Sequence, residues 1–352
     1  MDRCLQVAWI AGDKAITEQS NFMFSPLCVR AGLALLATGT DGETLRQLLS
    51  FLAPNTSTSS MRRAPSSSPR CGRGRSFPSH RPSSLLRLGP DFQYTAAADH
   101  RAFVRPVDFQ TQAEAATVQV NRFFAQATKG RLTNVIPSGT FKSTTKCVLA
   151  NAMHFKATWA RKFDPSDTVR RMFHRADGTS VRVPFLSDPG IHYATSFDRL
   201  GFKVLQLFYK MVGHDNKFHF NAPCFCMLVF LPTRRDGLRD LLRMAVTEPD
   251  FVMRCVPRTE QQVAPCMVPK FKFSAELDAA GALRQLGLAA PFDPVAADLS
   301  KMAVNPPPEG LYKCAVEVDE EGTTAVAATY EASSPTYSPG DVPTLPMSFV
   351  AD

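Results

Sequence analysis

VEVDEEGTTAVAATYEASSP, residues 316–335, begins as an amphipathic strand and then changes character. Val316, Glu317, Val318 and Asp319 alternate apolar and acidic, Glu320 and Glu321 add charge, and Gly322 introduces a run of small side chains from Thr323 to Ala328. In extended backbone successive side chains point to opposite faces, so Thr323, Ala325, Ala327 and Thr329 share one face and Thr324, Val326, Ala328 and Tyr330 the other. A face of only Thr and Ala fits where neighbouring packing leaves little room. Gly322 can act as a hinge, and Glu320 and Glu321 hold the preceding end in solvent. The Ser/Pro-rich residues that follow predict an exposed, extended loop. Read locally, the same run fits a flexible Ala/Thr/Ser linker before a C-terminal tail equally well.

Upstream of this stretch the chain is ordered by pattern. The apolar patch near the N-terminus, MDRCLQVAWIAGDKAI, lacks a basic leader and reads as a helix of the fold. Ser25-Pro26 opens an apolar helix that Gly39 ends, and Asp41 to Leu52 is a second amphipathic helix stopped by Pro54. Thr111 and Glu114 have the spacing of a capping box for a helix ending at Lys129-Gly130. Strand-like runs then dominate: CVLANAM (147–153), TSVRVPFL (179–186), GFKVLQLFY (201–209) and CFCMLVFL (224–231). Helices grouped first and strands later, without regular alternation, predict an α+β fold with largely antiparallel sheets, spanning residues 1–352 as one domain.

The 352 residues can bury a substantial core, and no apolar stretch approaches the roughly 20 residues that cross a bilayer. With no leader segment the expected location is cytoplasmic. The alternative is extracellular, where the sequon Asn55-Thr56-Ser57 would matter. The formal charge of +8 has a local origin: Arg62, Arg63, Arg70, Arg73, Arg75, Arg81 and Arg87 crowd a stretch with no acid between Glu43 and Asp91. That stretch, residues 55–89, is Ser/Pro/Arg-rich without apolar periodicity, and is expected to be a disordered insertion. Its functional reading is a patch for nucleic acid or another polyanion, since each Arg near a phosphate adds salt-sensitive affinity. Only Phe77 is interleaved for stacking, so a solvated insertion without a partner is the preferred reading.

A search for reaction chemistry turns up little. The chain contains no nucleophile elbow, phosphate loop or zinc-protease helix motif, and the seven histidines are dispersed. Nine scattered cysteines do not make a disulfide framework, and Cys224 and Cys226 lack a second ligand pair at zinc spacing. No cofactor or metal is expected, nor is an enzyme.

Taken together the stretches resemble the serpin family, and its plant branch most. NFMFSPLCVRAGLALLATGTDGETLRQLLSFL (21–52) resembles the family's shutter helix and its successor. LANAMHFKATWARKFDPSDTVRRMFHRADGTSVRVPFL (149–186) is similar to the central strand with its N-A-x-x-F-K-x-x-W signature and the strands after it. MLVFLPTRRDGL, VPKFKFSAELDAAGALRQLGL and FDPVAADLSKMA follow in family order, and FVAD resembles the segment after the reactive loop. The resemblance covers about residues 20–53 and 95–352 and leaves the basic insertion outside.

The resemblance implies a suicide inhibitor, expected to be a monomer. A serine or cysteine protease would cleave an exposed reactive loop at 320–347, the acyl-enzyme would form, and the freed hinge would insert as a new strand of a large sheet held short of it. Loop insertion into a sheet is a mode for which this family is the standard example. On this reading Glu320, Glu321, Gly322, Thr323, Thr324, Ala325, Val326, Ala327, Ala328 and Thr329 form the hinge. Counting from Gly322 puts the scissile bond at Thr336-Tyr337; counting back from Phe349 puts it at Asp341-Val342, so the loop is about five residues longer than the family pattern. The shutter positions are Ser25, Cys28, Asn151 and Tyr312, with Cys28 where the family has Ser and Tyr312 where it has His. The basic segment stands in place of a helix and an inner strand of the main sheet, and the family continues past Asp352 with two strands of a second sheet. These departures imply a serine-endopeptidase inhibitor by descent whose inhibition is impaired or absent. The alternative is a non-inhibitory serpin-like scaffold whose basic insertion binds an acidic partner.

Overall fold

The computed structural model describes residues 3–53, 89–100, 102, 107–109, 111–127, 130, 133–141, 147–148, 155–175, 177–210, 225–277, 279–293, 296–302, 308–309, 312–318, 322–326 and 347–351. The expected insertion at 55–89 falls outside these residues except for Gly89.

Helices α1 (Arg3–Thr17), α2 (Pro26–Thr38) and α3 (Gly42–Leu52) come first. Ser25 caps α2 by accepting a hydrogen bond from the Cys28 amide, and Asp41 caps α3 by accepting one from Gly42. Gly39 ends α2 as expected. α4 (Pro90–Ala98) starts at Gly89, whose amide donates to Met302 O at 3.0 Å; a Cβ there would come within 2.8 Å of Lys301 O. Glycine is therefore required where the chain leaves the basic segment and presses against the 299–302 turn. The apolar faces of α1 to α4 and of α8 (Ala279–Gln285) enclose one core that includes Val7, Leu36, Leu48, Leu288, Leu299 and Met302.

α5 (Ala113–Ala127) lacks the expected capping box. Thr111 donates its hydroxyl to Asp108 at 2.5 Å, and Glu114 accepts from the Gly139 amide at 3.4 Å, so both side chains serve neighbouring loops instead. Asn121 bonds both backbone groups of Ile136, which fixes the 133–141 loop against the helix.

Among the described residues the strands form two principal sheets. Seven strands make the larger: β3 (Val169–His174), β4 (Ser180–Ser187), β5 (Gly190–Phe197), β6 (Phe202–Phe208), β7 (Cys226–Pro232), β8 (Glu260–Pro269) and β13 (Met347–Val350). Their order is β3-β4-β8-β5-β6-β7, with β13 parallel to β8 on its other side. Short helices α6 (Leu238–Thr247) and α7 (Phe251–Arg254) follow β7 and carry Leu241 and Phe251 against Phe202 and Val204 of β6. The main sheet has β2 (Phe155–Thr158), β12 (Gly322–Val326), β11 (Tyr312–Val318) and β9 (Phe271–Leu277), in that order. A separate parallel pair joins β1 (Cys147–Val148) to β10 (Pro308–Glu309). The architecture is the expected α+β, and no helix of the described residues is long and apolar enough to cross a membrane.

Candidate functional site: the hinge strand in the main sheet

The described part of the small-residue run, Gly322–Val326, lies inside the main sheet. Gly322, Thr323, Thr324 and Ala325 stand antiparallel to Thr158, Ala157, Lys156 and Phe155 of β2. On the other side Thr323, Thr324, Ala325 and Val326 stand antiparallel to Val318, Glu317, Val316 and Ala315 of β11. The sheet expected to be held short of this strand already contains it from Gly322 to Val326. The sequence reading has the hinge enter the sheet after cleavage, whereas residues 322–326 lie in it here. The reason lies in the pairing: between β11 and β2, β12 satisfies backbone groups on both sides at once.

At the other end the same two stretches of chain meet directly. Cys147 pairs with Pro308 and Val148 with Glu309, in parallel. Partners across the seam differ by 161 in number both here and at the Phe155/Val316 row that flanks Ala325. The two described ends therefore share one numerical offset, paired directly at β1–β10 and separated by β12 at β2–β11. With neighbouring strands about 4.8 Å apart, the flanking strands stand about 4.8 Å apart at the closed end and about 9.6 Å apart where β12 lies between them.

At the top of the seam the two sheets are tied together. Trp159 forms an antiparallel bridge with Tyr209, the Ala160 amide donates to Phe208 O at 2.8 Å, and the Lys210 amide donates to Thr158 O at 2.9 Å. The Trp159 and Tyr209 rings stack at 4.6 Å and 9°, and Phe163 meets Trp159 edge-on at 6.2 Å. Thr323, only 5% exposed, accepts a 2.7 Å hydrogen bond from the Tyr209 hydroxyl. Burial pushes the Tyr209 phenol up to about 12, outweighing the Thr323 contact, so the hydroxyl keeps its proton through neutral pH. Just past the bridge, Arg161 pairs with Asp188 at 2.7 Å and holds the end of this segment against the β4–β5 corner. Burial raises the Asp188 carboxyl above its ordinary range despite the opposing attraction of His192 and Arg161.

Of the residues singled out from sequence, Gly322, Thr323, Thr324, Ala325 and Val326 form β12. Glu320, Glu321, Ala327, Ala328, Thr329, both candidate scissile pairs (Thr336-Tyr337 and Asp341-Val342) and Asn151 lie outside the described residues. Ser25 and the buried Cys28 meet through the Ser25 hydroxyl and the Cys28 amide at 3.3 Å, and Tyr312 opens β11 opposite Leu277. Sequence reading missed Tyr209: it lies 114 residues from Thr323, and no local pattern marks it. Among the described residues no group of three or more His, Cys, Asp or Glu could hold a metal ion.

Comparison with known proteins bears on what this strand is for. Residues 11–351 match the family Serpin (serine protease inhibitor). The chain is 69% identical to "Putative non-inhibitory serpin-10" of Oryza sativa subsp. japonica, over 100% of this chain and 93% of that protein. It is 49% identical to "Putative non-inhibitory serpin-Z11" of the same organism, over 100% and 92%. The structure of Arabidopsis AtSerpin1 in its native stressed conformation superposes with a TM-score of 0.75 at 30% identity, covering 98% of this chain and 90% of that one. The chain belongs to the serpin family.

Proposed function

We propose that this protein is a non-inhibitory serpin: it presents a protease-cleavable loop, but its hinge stops part-way into the main sheet and does not drive a protease into an inactive complex. The carrying observation is the parted seam, with β12 between β2 and β11 while β1 still pairs with β10. Part of the strand an inhibitor keeps in reserve is already spent, so less free energy remains to be released on cleavage.

Register supplies the reason for the stop. Each step beyond Val326 would move one row toward the closed end. Glu331 lies six residues past Ala325, so it would fall opposite positions 149 and 310, six before Phe155 and Val316. That row adjoins the Val148–Glu309 pair. Strand alternation would place Glu331 on the same face as the buried Thr323. An ionised carboxylate there costs several kcal/mol unless it finds a partner. Ala327, Ala328 and Thr329 carry no such cost, so insertion is favourable for about one further turn of the pleat and then opposed. The role assigned here is that of a cleavable serpin scaffold rather than an enzyme, with a serine or cysteine protease as the cleaving partner.

Incubation with a panel of serine and cysteine proteases, read on a denaturing gel, tests the reading. Loop cleavage without a higher-mass product is expected. A covalent complex stable to denaturant would overturn it.

A further inference from the structure

We propose that Tyr209 is the positioning residue that holds the hinge in the sheet, its hydroxyl acting as a latch on Thr323. This rests on the part-inserted state described above and names what maintains it. β12 competes with a simpler arrangement: the flanking strands share one register and already pair directly at the β1–β10 end, so the seam could close over the whole length if the hinge left. Small side chains give β12 little apolar area with which to resist. Its first buried side chain, Thr323, instead takes a 2.7 Å hydrogen bond from Tyr209 in a site where both residues are more than nine-tenths buried.

The donor is fixed independently of the hinge. The Tyr209 amide donates to Phe225 O at 3.0 Å, its backbone bridges Trp159, and its ring lies flat on the Trp159 indole. Departure of the hinge would therefore leave the hydroxyl in place without its Thr323 acceptor, and a buried polar group that loses its partner is costly. Threonine suits the acceptor position because its oxygen meets the phenol in a buried site. Valine would match the shape and lose the bond; serine would keep it.

Hydrogen exchange on the full chain, resolved by peptide, tests the latch with Tyr209→Phe, Thr323→Val, Thr323→Ser and the Phe/Val double variant. Tyr209→Phe keeps the ring stack and removes one oxygen. Exchange of the 322–326 amides should rise about fivefold, the factor expected for a buried hydrogen bond of ordinary strength. Exchange across β6 should stay unchanged, Thr323→Ser should behave as wild type, and the double variant should be no worse than either single one. Unchanged hinge exchange in Tyr209→Phe, or equal acceleration of β6, would overturn the latch while leaving the part-inserted state intact. Absence of 322–326 protection in the wild-type chain would instead overturn the part-inserted state itself. Should Tyr209→Phe not fold, the Thr323→Val and Thr323→Ser pair carries the same comparison.

Discussion

Between β1 and β10 two strands pair directly, whereas between β2 and β11 a third strand lies, although partners differ by the same 161 in number at both places. The shared offset alone does not decide where the seam opens. The side chains offered to it do. Thr323 brings a small body and an oxygen that Tyr209 can use. Eight residues later the same face would receive Glu331. On the reading proposed above, strand insertion in this chain is a contest between a latch near one end and a charge near the other.

The largest expected effect comes from putting a charge at the open end. Thr323→Asp would bury a carboxylate opposite Ala157 and Val318, expel β12 and raise exchange of the 322–326 amides at least ~100-fold, as a penalty of several kcal/mol requires. Retained protection would show that the strand does not depend on this site. Removing the charge from the closed end should have the opposite sign. After proteolytic cleavage, Glu331→Ala is expected to melt roughly 5–10 °C above cleaved wild type, because insertion no longer meets a buried carboxylate. Equal melting temperatures would remove Glu331 from the account.

Alkaline titration gives a smaller effect with a definite sign. Tyr209 ionises at about 12 in the fold against an ordinary 10.0, so the folded state holds this proton more tightly than the unfolded chain. Its contribution is complete below pH 10 and fades as pH rises toward 12. Fluorescence of Trp159, stacked on Tyr209, should report that fading, and Tyr209→Phe should abolish it. The smallest effect is expected from deleting residues 60–88: a melting shift within about 1 °C if the basic segment is a solvated insertion. A larger fall would make it part of the fold.

Much of the frame was legible in residue order. Ser25, Asp41 and Gly39 mark helix ends by local chemistry, and the apolar runs of β6 and β7 mark strands, because each signal acts within a few residues. Alternation groups Thr323 with Ala325 on one face, and Thr323 is buried. Contacts set by competition at long range were not legible. Thr111 and Glu114 have capping spacing, yet Asp108 and Gly139 claim their side chains. α4 begins at a glycine without a capping oxygen, at the edge of a stretch read as insertion. Tyr209 follows an ordinary apolar strand, and only the meeting of the two sheets beside Trp159 brings its hydroxyl to Thr323.

Melting the protein before and after a single cut in the loop tests incomplete insertion most directly. A seam that stays closed at β1–β10 predicts a rise of only a few degrees, roughly 5 °C or less, since just a few further rows can be gained. A rise of more than about 20 °C would mean that the severed segment runs the full length of the sheet, contradicting the account.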